Sequence, residues 1–331
     1  MDGEIRQNKA TKEWVIYAPR RGSRPNDFSS GDKKRQKPPP FDSECPFCPG
    51  NERMLPPIIE ETPDGAGGWL NRIVPNKFPA LSPEGDSNRY QVGPYLAMQG
   101  YGRHEVIIES PRHDRQLAEM PIKEVESLIE AYHRRHSDLL NGSRNMMTVI
   151  FRNHGPRAGT SLLHPHSQII VTGMVPNYIR RREETAQAYY DEFGRCVFCD
   201  MLEFEMKHGE RVILENEEFV AFVPFAAEVP SEISIMPKRH QACFSQIQDL
   251  EKEGLAAALQ DVLDRLFRKL NDPDYNYTIN SAANYKEGEP HIHWHLQIRP
   301  RLITRAGFEI GSGISINPSV PEKDASFLKA P

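Results

Sequence analysis

Hydrophobic and polar positions follow the periods of strands and helices in an order that occurs twice along the chain. In the first half, apolar or alternating runs predict strands at residues 14–17, 72–80, 104–109 and 146–152. In the second half, the same patterns predict strands at residues 220–223, 232–236 and 275–279. Apolar residues at helical spacing predict one long helix in each half, after residue 121 and between residues 250 and 270. The pattern indicates a duplicated α+β unit, each copy an antiparallel sheet packed on one long helix.

Two short motifs strengthen this duplication. Each half begins with a Cys-x-x-Cys pair and ends with a strand that carries histidines at alternate positions, residues 163–171 and 291–297. The spacing also agrees, because 51 positions separate His113 from His164 and His240 from His291. We expect an N-terminal domain at residues 1–180 and a C-terminal domain at residues 181–331, with the boundary in the polar helical stretch between them.

Composition excludes several classes of protein. The chain has 331 residues, 38% of them hydrophobic, and a net charge of −5. This charge gives no electrostatic basis for nucleic-acid or anionic membrane binding. No apolar run approaches the roughly 20 residues that span a bilayer, and the N-terminus lacks the pattern of a signal peptide. We therefore expect a cytoplasmic protein, where paired cysteines indicate metal or redox chemistry rather than disulfides.

The cysteine pairs and nearby histidines could bind one metal ion in each half. Two thiolates and two imidazoles complete a tetrahedral Zn²⁺ shell and leave no open position for catalysis. The candidate ligands are Cys45, Cys48, His113 and His164 in the first half, and Cys196, Cys199, His240 and His291 in the second. His293 lies on the same strand face as His291 and is the alternative ligand. A redox role is disfavoured because neither pair opens a predicted helix.

If His164 binds metal, His166 remains free on the same face of its strand, and Gln168 follows it. The preceding residues, 153–161, form a glycine-containing loop that could present backbone N–H groups and hydroxyls to a phosphate. A neutral imidazole beside such a loop can attack phosphorus and form a covalent phosphoramidate. The residues themselves therefore indicate His166 as a nucleophile for phosphorus.

Cys-Pro-Phe-Cys at residues 45–48, a histidine 65 positions later and His-Pro-His-Ser-Gln at residues 164–168 resemble the galactose-1-phosphate uridylyltransferase branch of the histidine-triad superfamily. The resemblance covers nearly the whole chain. It implies two half-barrel sheets, a homodimer and ping-pong transfer of a nucleoside monophosphate through His166. Gln168 would bind the phosphoryl oxygen. The other residues that the resemblance places at the substrates are Arg21, Arg24, Asn76, Phe78, Asn153, Gly159, Ser161 and Glu309.

The leading functional hypothesis is transfer of UMP between UDP-glucose and galactose 1-phosphate, with zinc in the first metal site and zinc or iron in the second. The main alternative is an adenylyltransferase or phosphorylase that acts on ADP-glucose with the same His166. Lys77 discriminates between them, because the uridylyltransferases usually carry Asp beside the uracil-binding Asn. Two further alternatives are a nucleotide hydrolase that uses His293 with His295, and a zinc-stabilised binding module. A nucleotide sugar and a sugar 1-phosphate are the expected partners.

Overall fold

A computed structural model gives the structure of residues 3–23 and 37–330, so Arg24 lies outside the described residues. The strands are β1 (Glu4–Gln7), β2 (Trp14–Tyr17), β3 (Glu60–Pro63), β4 (Trp69–Pro75), β5 (Arg89–Val92), β6 (Tyr95–Met98), β7 (Gly102–Ile108), β8 (Met147–His154), β9 (His166–Thr172), β10 (Val212–Glu215), β11 (Phe219–Phe222), β12 (Ile233–Pro237), β13 (Tyr275–Asn280), β14 (His295–Pro300) and β15 (Ser315–Asn317). The helices are α1 (Ile122–Leu140), α2 (Asn177–Phe193), α3 (Val197–His208), α4 (Asp249–Lys269), α5 (Gly307–Ser312) and α6 (Pro321–Lys329).

Within the described residues, the duplicated unit forms one antiparallel sheet of ten strands in the order β10-β11-β12-β14-β13-β8-β9-β7-β4-β3. The order is symmetric about its centre, so that β8 and β9 of the first half correspond to β13 and β14 of the second. The central strands β8 and β13 pair antiparallel, with Arg152 opposite Tyr277. The α+β class with antiparallel sheets is confirmed, and the two predicted half-sheets are joined edge to edge.

The two long helices lie against one face of this sheet and bury a common core. Leu128 of α1, Leu259 of α4, Ile169 of β9 and Trp294, just before β14, belong to one continuous hydrophobic cluster. Each such side chain contributes about 2 kcal/mol when it leaves water. Because both halves contribute to this cluster, the core holds them together.

The opposite face of the sheet carries the polar side chains. Side chains alternate along a strand, so Ile169 and Val171 point into the core while Gln168 points away from it. The same alternation places Asn276 of β13 and Gln297 of β14 on the polar face. The central strands therefore present polar side chains from both halves to one side of the sheet.

Helix α2 covers the predicted boundary between the halves, and the division at residues 180 and 181 stays a prediction. A small sheet joins the two ends of the chain, because β15 runs parallel to β2, which pairs with β1. Among the described helices, none combines the length and the apolar composition that crossing a membrane requires.

Candidate active site and metal centres

His166 opens β9 with its ring held in one tautomer. Its Nδ1 lies 2.8 Å from the carbonyl oxygen of His164, which can only accept a hydrogen bond, so Nδ1 carries the proton. Burial lowers the pKa of His166, which is 8% exposed, and favours its neutral form. The ring packs against Phe47 with centroids 5.4 Å apart. A neutral imidazole with a free Nε2 lone pair is the form that can act as a nucleophile.

A cavity of about 460 Å³ lies beside His166 and contains several of the predicted substrate residues. Its lining includes Asn76, Phe78, Ser161, His166 and Gln168. Phe78 is 83% exposed at this cavity, which makes its ring available to stack on a planar ligand. Apolar walls with a few convergent polar groups are typical of small-molecule sites.

His104 of β7 also contacts this site, although no sequence pattern had indicated it as a site residue. Its Nε2 lies 2.6 Å from Oε1 of Gln168 and 3.1 Å from Nδ2 of Asn76. The isolated histidine within an apolar strand was the only signal that could have indicated a role. Its partner Gln168 lies 64 positions away, so only the pairing of β7 with β9 brings the two together.

Part of the loop after β8 is bonded internally and does not present the backbone N–H groups expected from the sequence. Its backbone N–H groups are already bonded: those of Ala158 and Thr160 to the Gly155 carbonyl, and that of Gly159 to the Pro156 carbonyl. Gly155 and Gly159 have φ values of 84° and 91°, a region that favours glycine. Gly159 therefore shapes the loop, and within residues 158–160 no backbone N–H group is left to donate to a phosphate.

Residues of the second half hold this loop. Asn276 donates hydrogen bonds to Oδ1 of Asn153 at 2.7 Å and to the Ala158 carbonyl at 2.9 Å. The backbone N–H of Arg157 donates to Asp274 at 2.5 Å. Asn153 lines two further cavities, one of about 70 Å³ that also contacts His166 and one of about 780 Å³. The predicted phosphate residue Asn153 is thus positioned from the other half of the molecule.

Two other predicted substrate residues lie apart from the His166 cavity. Glu309 is 8% exposed, and its carboxylate accepts hydrogen bonds from the backbone N–H groups of Ala306 and Ile316. It lines the 780 Å³ cavity together with Asn153. Arg21 lies in a short 3₁₀ helix and is not among the residues that line the His166 cavity in the described chain.

The first predicted metal site is assembled as a buried cluster. Cys45, Cys48, His113 and His164 place one ligand atom each within 4.8 Å of one another. The Sγ atom of Cys48 lies 3.5 Å from Nδ1 of His113 and 3.6 Å from Nδ1 of His164. In a tetrahedron with ordinary Zn–S and Zn–N bonds, sulfur and nitrogen are ~3.6 Å apart. The donors present therefore fit a four-coordinate metal ion.

The protonation states of this cluster favour the same interpretation. Nε2 of His164 donates to the Ser110 carbonyl at 2.8 Å, which leaves Nδ1 unprotonated and facing Cys48. Burial lowers the pKa of His164 to about 4 and raises the pKa of Cys45 to about 11. Burying a thiolate costs free energy unless a cation lies nearby. A bound metal ion would offset the cost of ionising the buried cysteines of this cluster.

The second cluster contains His293, and the preference for His291 is wrong in this structure. Cys196, Cys199, His240 and His293 form the group of close ligand atoms. Nδ1 of His240 and Nδ1 of His293 lie 3.2 and 3.4 Å from Sγ of Cys199. His291 instead accepts a hydrogen bond from Cys196 through its backbone carbonyl.

The connection before the last strand of each half explains this difference. Residues 155–165 connect β8 to β9, whereas a longer segment, residues 281–294, connects β13 to β14. This longer connection moves the equivalent of His164 from His291 to His293. Consistently, Nδ1 of His295 bonds the carbonyl of His293 at 3.2 Å, as His166 bonds that of His164.

The expectation that neither cysteine pair opens a helix is also wrong for the second pair. Cys196 is the N-cap residue of α3, and a hydrogen bond from Cys199 lowers the pKa of its thiol. A Cys-x-x-Cys at a helix N-terminus is the geometry of redox pairs. The proximity of His240 and His293 nevertheless fits a metal centre better, since two imidazoles complete the ligand set.

A buried polar network under β9, absent from the sequence analysis, supports the His166 strand. Arg152 pairs with Glu109 at 3.0 Å and donates to the Tyr275 hydroxyl at 2.6 Å. The hydroxyls of Tyr132 and Ser167 lie 2.6 Å apart. Ser167 lies between His166 and Gln168, so this network fixes the backbone that carries both.

Comparisons with known proteins agree with this architecture. Sequence models of the N-terminal and C-terminal domains of galactose-1-phosphate uridyl transferase match residues 2–176 and 182–315. The chain is 37% identical to an ADP-glucose phosphorylase of Arabidopsis thaliana over 330 residues, which cover 98% of this chain and 92% of that protein. It is 30% identical to a galactose-1-phosphate uridylyltransferase of Thermotoga maritima over 98% of both chains.

A solved structure extends the similarity to the fold. The crystal structure of an ADP-glucose phosphorylase from Arabidopsis thaliana with bound ADP-glucose matches with a TM-score of 0.87 and 34% identity. The match covers 100% of this chain and 99% of that chain. The protein therefore belongs to the galactose-1-phosphate uridylyltransferase family, which is a family of transferases.

Proposed function

We propose that this protein transfers a nucleoside monophosphate from a nucleotide sugar to a phosphate acceptor, with His166 as the covalent carrier. The observation that carries this proposal is the fixed tautomer of His166, whose Nε2 lone pair is free beside a cavity that also contains Gln168. This arrangement supports the assignment of His166 and Gln168 as the catalytic pair.

The proposed reaction has two steps, transfer of the nucleoside monophosphate to His166 and its transfer from His166 to the acceptor. Nε2 of His166 attacks the α-phosphorus, a P–N bond forms, and the P–O bond to the departing sugar 1-phosphate breaks. An oxygen of the acceptor phosphate then attacks the same phosphorus and breaks the P–N bond, which releases the nucleotide and restores the imidazole. The proton stays on Nδ1 and keeps its hydrogen bond to the His164 carbonyl oxygen, which stabilises the positive charge that develops on the ring.

We propose ADP-glucose as the donor and inorganic phosphate as the acceptor, which places the alternative ahead of the original hypothesis. The Arabidopsis ADP-glucose phosphorylase supports this choice. Lys77, which lines the cavity between Asn76 and Phe78, supports it independently. A lysine ammonium only donates hydrogen bonds, so it can bind the ring nitrogen acceptors of adenine but cannot accept the N3–H of uracil.

The uridylyltransferase function remains the second candidate, because a relative with that name covers 98% of this chain. Turnover with matched donors separates the two. The protein would be incubated with ADP-glucose and phosphate, or with UDP-glucose and galactose 1-phosphate, and the products resolved by phosphorus NMR. We expect ADP and glucose 1-phosphate from the first pair. Faster turnover of the second pair would reject the adenylyl assignment, and no turnover of either would reject the function.

We further propose that both four-residue clusters bind zinc, with iron as the alternative in the second. The metal would fix each Cys-x-x-Cys segment to the sheet and so hold Phe47 and Phe198 against the neighbouring histidine rings. The homodimer implied by the family also stays part of the proposal. Light scattering of the purified protein would test it.

A further inference from the structure

We propose that His104 is a positioning residue that orients the carboxamide of Gln168 and links it to the turn that carries Asn76. The inference rests on the proposed function, in which Gln168 donates a hydrogen bond to the phosphoryl group. It also has consequences that can be measured without turnover. Three contacts made by His104 carry the argument: one with Ala80, one with Gln168 and one with Asn76.

The contact with Ala80 fixes the tautomer of His104. The backbone N–H of Ala80 donates a hydrogen bond to Nδ1 of His104 at 3.2 Å. A backbone N–H can only donate, so Nδ1 must be unprotonated, and a neutral ring then carries its proton on Nε2. His104 is therefore a hydrogen-bond donor toward Gln168.

This tautomer determines which way the Gln168 carboxamide faces. Nε2 of His104 lies 2.6 Å from Oε1 of Gln168, so the amide oxygen accepts this hydrogen bond. The NH₂ group, on the other side of the carboxamide, is left for the cavity that Gln168 shares with His166. A flipped carboxamide would place two donors against each other at His104 and an oxygen toward the anionic phosphate. His104 thus selects the orientation that can stabilise the phosphoryl group.

Asn76 contributes to the same arrangement. Its Oδ1 accepts the backbone N–H of Phe78 at 2.9 Å, which directs Nδ2 toward His104 and Gln168. The 3.1 Å contact between Nδ2 and Nε2 of His104 joins two donors in this tautomer, so it is a close contact and not a hydrogen bond. Oε1 of Gln168, 3.5 Å from Nδ2, is the acceptor that the two donors share.

His104 also holds the turn itself. Its backbone carbonyl accepts the N–H of Asn76 at 2.8 Å, and its ring accepts the N–H of Ala80. One residue therefore contacts the turn at both ends and the phosphoryl-binding carboxamide between them. Binding of a base at this turn is coupled through His104 to the orientation of Gln168.

A double-mutant cycle tests whether His104 acts through Gln168. The rate of nucleotidyl transfer to His166 would be measured in single turnover for His104→Leu, His104→Gln, Gln168→Ala and the combination of His104→Leu with Gln168→Ala. Loss of one orienting hydrogen bond is expected to slow His104→Leu about tenfold. His104→Gln, which keeps a donor, should recover part of that loss. His208→Ala, at an exposed histidine, is the control and should react like the wild type.

In the Gln168→Ala background, His104→Leu should cause a smaller loss than in the wild type, because the contact with Gln168 is already absent and only the hydrogen bond from Ala80 is removed. The same tenfold loss in both backgrounds would overturn the proposal. Nitrogen NMR of histidine-labelled wild-type protein provides a readout that is independent of turnover. It should show His104 protonated on Nε2, and protonation on Nδ1 would also overturn the proposal. Absence of any nucleotidyl-His166 in the wild type would reject the proposed function. The NMR measurement would still show which ring nitrogen of His104 is protonated, so the two failures can be told apart.

Discussion

Asn276 of β13 donates a hydrogen bond to Oδ1 of Asn153 on β8 at 2.7 Å, so a strand of the second half positions a proposed substrate residue of the first. The second N–H of the same carboxamide holds the Ala158 carbonyl. Arg301 in turn donates to Oδ1 of Asn276 at 2.6 Å. Through this contact the second half supports the first site. This role requires no catalytic group from the second half.

Replacing Asn276 with Ala should slow nucleotidyl transfer about thirtyfold, because a hydrogen bond of this kind contributes about 1 kcal/mol and two are lost together. Single-turnover transfer to His166 measures the effect. Thr278→Ala is the matched control, since Thr278 lies two positions further on the same strand face. Equal rates for Asn276→Ala and the wild type would show that the loop does not depend on the second half.

The duplication itself could be predicted from the sequence, because helical and strand periods and the paired motifs are local signals. The shared strand face of His166 and Gln168 could be predicted for the same reason, since side chains alternate along a strand. The pairing of β8 with β13 could not, because it joins strands more than 120 positions apart and either could have been an edge. The Asn276–Asn153 contact depends on that pairing.

The choice between His291 and His293 required a feature that spacing alone conceals. Equal spacing from His113 and His240 favoured His291, but the segment that connects β13 to β14, residues 281–294, is longer than the segment that connects β8 to β9, residues 155–165. Alignment on the glutamines would have found the right residue, because Gln168 and Gln297 each lie four positions after the ligand. The hydrogen bonds within the loop after β8 could not be predicted from the sequence. They depend on the backbone conformation of the turn, which brings the N–H groups of residues 158–160 to the carbonyls of Gly155 and Pro156.

The proposal that the second cluster binds a metal ion predicts different effects of replacing His291 and His293. His293→Ala should lose one equivalent of bound metal, because its Nδ1 lies in the second cluster. His291→Ala is the control and should keep both equivalents, because only its backbone carbonyl contacts Cys196. Elemental analysis of the purified proteins measures the content. Loss of metal in His291→Ala with retention in His293→Ala would contradict the structure.

Removing the metal from the first site should destabilise the protein. Cys48→Ser is expected to lose one equivalent of metal and to lower the free energy of unfolding by several kcal/mol, because both histidine ligands are distant in sequence from the cysteines. Urea unfolding with and without chelator measures this. A wild type whose unfolding midpoint does not change on chelation would argue against a structural metal.

His136 should make the protein less stable in acid. Burial lowers the pKa of His136 to about 3, and neither ring nitrogen has a hydrogen-bond partner among the described residues. The unfolded chain binds a proton below pH 6.5 that the folded protein excludes until about pH 3, so stability is full above 6.5 and falls as pH decreases. The slope is at most about 1.4 kcal/mol per pH unit.

His136→Leu should remove this contribution, and urea unfolding at pH 7 and pH 5 measures it. The stability difference between the two pH values should be smaller in His136→Leu than in the wild type. His208→Gln, at an exposed position, is the control and should keep the wild-type difference. An unchanged pH dependence in His136→Leu would show that His136 is not the responsible group.

Lys77 should set the preference for the base. Lys77→Asp replaces a donor with an acceptor for the N3–H of uracil, so the ratio of kcat/KM for ADP-glucose to that for UDP-glucose should fall by tenfold or more, roughly the energy of one hydrogen bond to a charged group. Lys77→Met, which keeps the length but accepts no hydrogen bond, is the control. A ratio that is the same in all three proteins would place base recognition elsewhere.

Intact-protein mass spectrometry after incubation with ADP-glucose at neutral pH shows whether His166 carries a nucleotidyl group. The wild type should gain the mass of one adenylyl group, acid should remove it, and His166→Ala should gain none. Addition of phosphate should then discharge the adduct as ADP. An adduct that persists in His166→Ala, or a wild type that gains no mass with either ADP-glucose or UDP-glucose, would contradict the assignment of His166 as the nucleophile.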